Sequence, residues 1–487
     1  MDPRLLQELK NLLGPEGVLD QPEDLLLYEY DGSVEVARPD CVVFPRNTED
    51  VVGVVKLANK YETALVGRGA GTGLSGGALA RQGGIVAVFS RMNRILEIDV
   101  ENQHARVQPG VVNLDLSVAV AHTGLHFAPD PSSQKACTIG GNVSENSGGP
   151  HTLAYGVTTN HVLGLTVVLP TGEVVKLGSQ AVDAPGYDLP GLFVGSEGTL
   201  ALVTEITVKL TRNPESVKTL LAVYDKVDDA TETVAEITRR GITPAACEMF
   251  DSWTIRAVEE YVHAGYPIGA KALLLIDVDG LREAVEADAA EVAEICKLHH
   301  AVEVRVARDA AERDLLWKGR KNAFGAVGRI SPTYYAMDGV IPRTKLPETL
   351  RRLEKIGKKY GFEIGNIFHA GDGNLHPLIP FNGRDRDEFR RAIAAGTEII
   401  RTCIDMGGAI TGEHGVGMEK DHLMPYLFTA EDLALMHRLH DAFNPSGLLN
   451  PGKVLPSAKA CGEIYTRPAQ SGQSNAPAVS STSSPHA

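Results

Sequence analysis

Three glycine-dense segments constrain the first half of this chain more than any other feature: GRGAGTGLSGGA at 67–78, PDPSSQKACTIGGNVSENSGG at 129–149 and FVGSEGTL at 193–200. They interrupt a series of short β-type runs, CVVF, TALVG, GIVAVFS, HARVQPG, LGLTVVLP, EVVKL and EITVKL. Glycine weakens helix and strand interiors, so such segments are not regular elements themselves. They can instead let backbone N–H groups approach an anion such as a pyrophosphate. The second segment is too long and polar for an ordinary connector. Its prolines, Pro129 and Pro131, and its paired glycines suggest backbone wrapped around a ligand. Three such loops separated by strands predict a domain over 35–213 that holds one large cofactor from several sides.

Within the first loop, Gly71-x-Gly73-x-x-Gly76 matches the dinucleotide-binding string. A Rossmann unit continues into an amphipathic helix, with an acid about 20 residues on. Here the chain runs through GGALARQGG into another strand, and the corresponding region carries Arg91 and Arg94. That context argues against a nicotinamide cofactor. A flexible glycine loop with no ligand stays open at this point.

The second half alternates differently. LLAVY and ALLLIDVDG are interleaved with the helical stretches DDATETVAEITRRG and REAVEADAAEVAEICKLHH, which predicts an α+β sheet with helices on one face. Residues 385–445 read as mainly helical, broken at Gly407 and Gly408 and by GEHGVG. Residues 1–34 read as a helical lead-in. Residues 458–487, rich in Ser, Ala, Pro and Gln, read as a disordered tail.

Chemistry concentrates in NIFHAGDGNLHPL (366–378) and GEHG (412–415). His369 and His376 are seven residues apart. Gly371, Gly373 and Pro377 argue against a helix, and an unbroken strand would send the two rings to opposite faces. Asp372-Gly373-Asn374 is turn chemistry, so a tight loop should bring the rings back together. Two imidazoles with Glu413 suit zinc, manganese or iron(II) and leave coordination positions open. Satisfied loop histidines with an exposed glutamate are the alternative.

Composition excludes other classes. The net charge of −15 disfavours nonspecific binding to nucleic acid or anionic membranes. The six cysteines, at 41, 137, 247, 296, 403 and 461, form no C-x-x-C pair, so an iron–sulfur site of the usual kind is not expected and a reducing compartment fits. MDPRLLQELKNLL lacks the basic start and apolar core of a signal peptide. No apolar run approaches the roughly 18 residues of a membrane span.

Taken together, GRGAGTGLSGGA, PDPSSQ…IGGNVSENSGG and GSEGTL resemble a vanillyl-alcohol-oxidase-type FAD-binding domain. FHAGDGNLHP, TGEHGVG and LLNPGK resemble the C-terminal half of the FAD-linked D-2-hydroxyacid dehydrogenases. HAGYP, GRKNAFGAVGRISP and YYAMDG point to their bacterial glycolate oxidase branch. The resemblance spans roughly residues 20–456. It implies an α+β protein: a two-subdomain FAD-binding domain (35–213), an α+β substrate or cap domain with a metal site (214–425), and a segment returning to the FAD domain (426–457).

The resemblance also implies roles. Arg68, Gly69, Ala70, Gly71, Thr72, Gly73, Leu74, Ser75 and Gly76 would hold the pyrophosphate. Pro109, Gly110, Asp130, Ser133, Gly140, Gly141, Asn142, Gly148, Gly149, Gly198 and Asn450 would line the rest of the FAD site. The first loop has no residue that tethers flavin in relatives, so FAD should be noncovalent. His369, His376 and Glu413 would bind a divalent metal, zinc first, with iron or manganese as alternatives. His414 would be the base and Arg320 the partner of the substrate carboxylate. Relatives that take longer diacids carry a lysine where this chain has Ala336, and a polar residue after the second metal histidine where it has Pro377 and Leu378. That departure favours a small monocarboxylate, glycolate or D-lactate.

The implied partners are companion FAD-binding and iron–sulfur subunits of a glycolate oxidase complex. The expected location is the cytoplasm, with inner-membrane association through those subunits. A metal-dependent hydrolase and a flavoprotein subunit without chemistry of its own are the readings from other classes.

Overall fold

The computed structural model describes residues 1–180 and 186–456. The expected disordered tail lies outside the described residues. Asp2 caps the helix Pro3–Leu13 by accepting from Arg4 N, and Leu5, Leu9 and Leu13 form one fully buried stripe. That stripe packs with the helix Thr48–Lys60, itself capped by Asn47. Beneath them lies a four-stranded sheet in the order Val18–Leu19, Cys41–Val43, Ile85–Val88, Leu65–Arg68. The last three strands are parallel, and the lead-in adds the antiparallel edge strand.

A second sheet is antiparallel throughout, in the order Ile95–Asp99, His104–Val107, Leu202–Lys209, Val162–Val168, Val174–Gly178. Its period-2 pattern is clear in Leu202–Lys209, where Leu202, Thr204, Ile206 and Val208 are buried. The first glycine segment leaves the first sheet as a loop, whereas the second, expected to hold no regular element, contains the short helix Ile139–Glu145, capped by Thr138. No helix follows the Gly71-x-Gly73-x-x-Gly76 string: the backbone from 69 to 84 is irregular.

The third sheet runs Glu303–Val306, Ser216–Tyr224, Ala272–Gly280, Ala246–Asp251, Gly365–His369, with Asn374–Leu375 and Gly339–Val340 beyond. Helices cover both of its faces, not one. Leu220, Leu274 and Ile276 pack under the helices Val227–Arg239, Arg282–Leu298, Leu346–Tyr360 and Arg386–Asp405. Leu221, Leu273 and Leu275 pack on the other side with Ile255, Val258, Leu316 and Ala323. The run ALLLID has no alternation because a strand covered on both faces needs none.

After the helix Ala430–Phe443 the chain returns to the first sheet. Leu65 N donates to Leu448 O (2.9 Å), and Asn450 N donates to Leu65 O (2.8 Å).

Candidate active site

His369 ends the strand Gly365–His369, and a turn at Asp372 and Gly373 leads into Asn374–Leu375, which pairs back on it. Gly373 has φ +73°, and a Cβ there would strike Ile341 O, so this turn requires glycine. The reversal sets the rings of His369 and His376 edge to face, with centroids 5.0 Å apart. His414 stacks on His376 at 4.9 Å. Glu413 Oε1 lies 3.2 Å from His369 Nε2, 3.1 Å from His376 Nε2 and 3.9 Å from His414 Nε2.

Buried carboxylates hold this cluster in place. Glu248 Oε1 accepts from His369 Nδ1 (2.8 Å), which leaves Nε2 directed at Glu413. Glu248 Oε2 accepts from Arg320 Nε (2.6 Å). Burial works against charge on His369, but Glu248 and Glu413 outweigh it and raise its pKa to about 10. Asp338 Oδ2 accepts from the backbone N of Gly412 (3.0 Å), Glu413 (3.3 Å) and His414 (2.9 Å) and from Thr411 Oγ1, so one acid shapes the whole GEHG turn. Burial opposes ionisation of Asp338, yet His414 where its ring is protonated, and Lys420 throughout, hold it well below the usual range. Burial pushes His414 down to about 4, against the pull of Asp338, so its ring is neutral at neutral pH.

The donor set suits a metal. Two imidazole nitrogens and one carboxylate oxygen converge, and an outer carboxylate orients one ring through its second nitrogen.

This cluster meets the glycine loops on one cavity of about 390 Å³. Arg68, Gly69, Ala70, Gly71, Thr72, Gly73 and Leu74 line it from the first loop. Pro109, Ser133, Gly140, Gly141, Asn142 and Gly198 line it from the others. Arg320, His376, Glu413 and His414 line the same cavity.

Other expected residues stand behind this wall. The carbonyl of Ser75 accepts from Met418 N (3.0 Å), and Gly76 packs against Met418. Gly110 lies on Phe89 O, and Gly148 faces Thr152 and Glu413. Asn450 Nδ2 donates to Gly77 O (3.0 Å) and Glu197 O (2.6 Å), tying two glycine loops together.

Asp130 does not line this cavity. Its carboxylate turns to His151 Nδ1 (2.9 Å), and Gly149 packs against its backbone. It lines a neighbouring cavity with Asp277, Trp317 and Lys321. The position of Ala336 also differs from expectation. Ala336 pairs with Leu378 across two strands, and both are buried in an apolar cluster rather than on the cavity. A cation nevertheless reaches the cavity wall: Lys321, beside Arg320.

Sequence reasoning missed Glu248, Lys420, Lys453 and the acids Glu145 and Glu197. A glutamate inside the apolar strand Ala246–Asp251 was a usable signal for Glu248.

Comparisons with known proteins agree with this architecture. Residues 39–178 match the FAD binding domain family, and residues 213–454 match the family described as FAD linked oxidases, C-terminal domain. Glycolate oxidase subunit GlcD of Escherichia coli (strain K12) is 47% identical over 448 residues, which cover 92% of this chain and 90% of that one. A D-lactate dehydrogenase of Anaerostipes hadrus is 32% identical over 464 residues, covering 93% and 97%. Among solved structures, p-cresol methylhydroxylase with substrate bound superposes with a TM-score of 0.80 at 18% identity, covering 93% of this chain and 96% of that one.

Proposed function

The chain belongs to the FAD-linked oxidases, on a vanillyl-alcohol-oxidase-type FAD-binding domain, and from that premise we propose that it oxidises a small D-2-hydroxy acid, glycolate before D-lactate. It is an FAD-linked hydroxyacid oxidase or dehydrogenase, which sets aside the hydrolase and the non-catalytic flavoprotein. The observation that carries the finer reading is the meeting of the glycine loops with Arg320, His376, Glu413 and His414 on one cavity. The D-lactate dehydrogenase relative supports D-lactate as the second substrate.

Bound FAD supplies the hydride acceptor. A divalent metal held by His369, His376 and Glu413 would act as a Lewis acid on the substrate hydroxyl. The remaining work falls to the chain's own side chains. Glu248 occupies Arg320 Nε and Nη2 lies 3.5 Å from His369 Nδ1, so Nη1 is the guanidinium nitrogen offered to the substrate carboxylate. His414, neutral through burial, accepts the hydroxyl proton. Phe324 and Tyr334 form part of the same wall and help to exclude water. The product is the 2-oxo acid, glyoxylate in the case of glycolate.

FAD is held without a covalent tether in this reading. The first loop contains neither His nor Cys, and burial raises the pKa of Cys137, which makes that cavity-lining thiol a poor nucleophile. The E. coli relative is named a subunit, which supports companion chains for this one. Those companions would be a second FAD-binding chain and an iron–sulfur chain. No described helix is long and apolar enough to cross a membrane. The proposed location is the cytoplasm, with inner-membrane association through the companions.

Anaerobic mixing of the purified holoprotein with a panel of D- and L-2-hydroxy acids tests the reading. Glycolate and D-lactate should bleach the flavin while L-lactate does not. A flavin left oxidised by every acid in the panel would overturn the substrate assignment.

A further inference from the structure

Glu145 ends the helix Ile139–Glu145 and lines the cofactor cavity. Its Oε2 is buried and has no hydrogen-bond partner among the described residues. A Cβ built on Gly415 would strike this oxygen and would meet Glu197 Oε1 at 2.8 Å, so the two carboxylates converge on one point. Glu197 has both oxygens committed as acceptors: Oε1 to Val416 N (2.6 Å) and Oε2 to Gly417 N (2.7 Å). Burial raises the Glu197 carboxyl, but these two hydrogen bonds, with Lys420 and Lys453 nearby, work against it and favour its anion over that of Glu145, which has no such donors. A second buried carboxylate facing that anion cannot ionise without repulsion, so the proton belongs on Glu145. Burial, then Glu197 and Asp31, push Glu145 well above the usual carboxyl range.

The neighbouring cations are engaged elsewhere. Lys453 Nζ donates to Leu79 O (2.6 Å), Gly77 O (3.3 Å) and Asn450 Oδ1 (3.1 Å). Lys420 Nζ donates to Gly415 O (3.2 Å) and lies 3.6 Å from Asp338 Oδ2. Glu145 therefore presents a neutral carboxyl with a proton to donate. An unsatisfied buried group of this kind is costly, which argues that a ligand completes it. Gly415 follows Glu413 and His414, which line the same cavity, so Glu145 lies beside the residues assigned to the substrate.

We propose that Glu145 donates a hydrogen bond to the flavin ring and raises its reduction potential by favouring the electron-rich reduced form. The inference rests on FAD binding in this cavity and not on which hydroxy acid is oxidised. The test is the flavin potential of the holoprotein, measured by equilibration with redox dyes. Glu145→Gln keeps a neutral donor and should leave the potential unchanged. Glu145→Leu removes the donor and should disfavour the reduced flavin about tenfold, a fall of about 30 mV for a two-electron couple. The flavin absorbance of that variant should shift as well. Glu145→Leu with unchanged potential and absorbance overturns the proposal.

If Glu145→Leu fails to fold or to keep FAD, the reduced-minus-oxidised infrared difference spectrum of the wild type decides. A protonated-carboxyl band that moves on flavin reduction and is missing from Glu145→Gln supports the assignment, and the absence of such a band overturns it. No hydroxy acid enters either measurement, so a wrong substrate assignment would show only in the acid panel.

Discussion

The carboxylate of Glu248 accepts a hydrogen bond from His369 Nδ1 at 2.8 Å, and no solvent reaches the glutamate. Its other oxygen holds Arg320. One buried acid thus joins the metal-type cluster to the cation offered to the substrate. Removing it would leave the Arg320 guanidinium, itself only 1% exposed, without its counter-ion. Glu248→Ala should therefore destabilise the protein by about 3–5 kcal/mol, the usual cost of breaking one side of a buried pair. Urea unfolding of the wild type and variant measures this. A loss below about 1 kcal/mol would mean that the pair does not hold the site together.

Chelation and proton transfer should separate within the cluster. Replacing His369, His376 or Glu413 by alanine should deplete bound metal and activity in parallel. His414→Ala should keep metal and FAD but slow flavin reduction by about 10²–10⁴-fold, because it removes the proton acceptor. Metal analysis beside anaerobic stopped-flow reduction compares the four variants. A wild type fully active without stoichiometric metal would rule out chelation. Loss of metal from His414→Ala would reassign the roles within GEHG.

The pair His151–Asp130 predicts a pH dependence of stability. Burial alone would lower the pKa of His151, but Asp130 overcomes it and raises the value to about 9. His151 also stacks on Trp317, with ring centroids 5.6 Å apart. Folding favours the protonated ring, so its contribution is fully present below about 6.5, the unfolded value, and is lost as pH rises through about 9. Asp130 is lowered: burial opposes this, but His151 and Lys321 prevail, so its contribution is lost only as pH falls below the usual carboxylate range. Stability should fall by about 1–3 kcal/mol between pH 6.5 and 9. His151→Gln should flatten that part of the profile in chemical denaturation, and an unaltered slope would exclude the pair as its source.

Ala336→Lys, which restores the lysine found in relatives that take diacids, should fail to admit a diacid for a structural reason. Ala336 is buried against Leu378 in an apolar cluster and does not reach the cavity. A lysine there would overpack the cluster and bury an unpaired charge, at a cost on the order of 3 kcal/mol or more. Thermal unfolding should show the loss, with no gain of flavin reduction by 2-hydroxyglutarate. A stable variant that gains that activity would contradict the geometry.

Some of this protein could be read directly from its residues because the signals are local. Glycine in the three loops, the β-type runs between them and the turn at Asp372 and Gly373 each reflect the conformational preferences of a few adjacent residues. The return of His376 to His369 follows from that turn alone. The second layer of helices over Ala272–Gly280 was not foreseen: alternation of elements suggested cover on one face, and the unbroken apolar run that signals cover on both was not used.

The ionic arrangement was decided by tertiary packing. Glu248 lies 72 residues from Arg320 and 121 from His369, and no period or motif links them. The same holds for Asp338 beneath the GEHG turn, for Glu145 beside Glu197, and for Asp130, which turns from the glycine loops to His151. Residue type shows that a side chain can ionise. Burial and the identity of its neighbour determine whether it does, and only the folded chain supplies both.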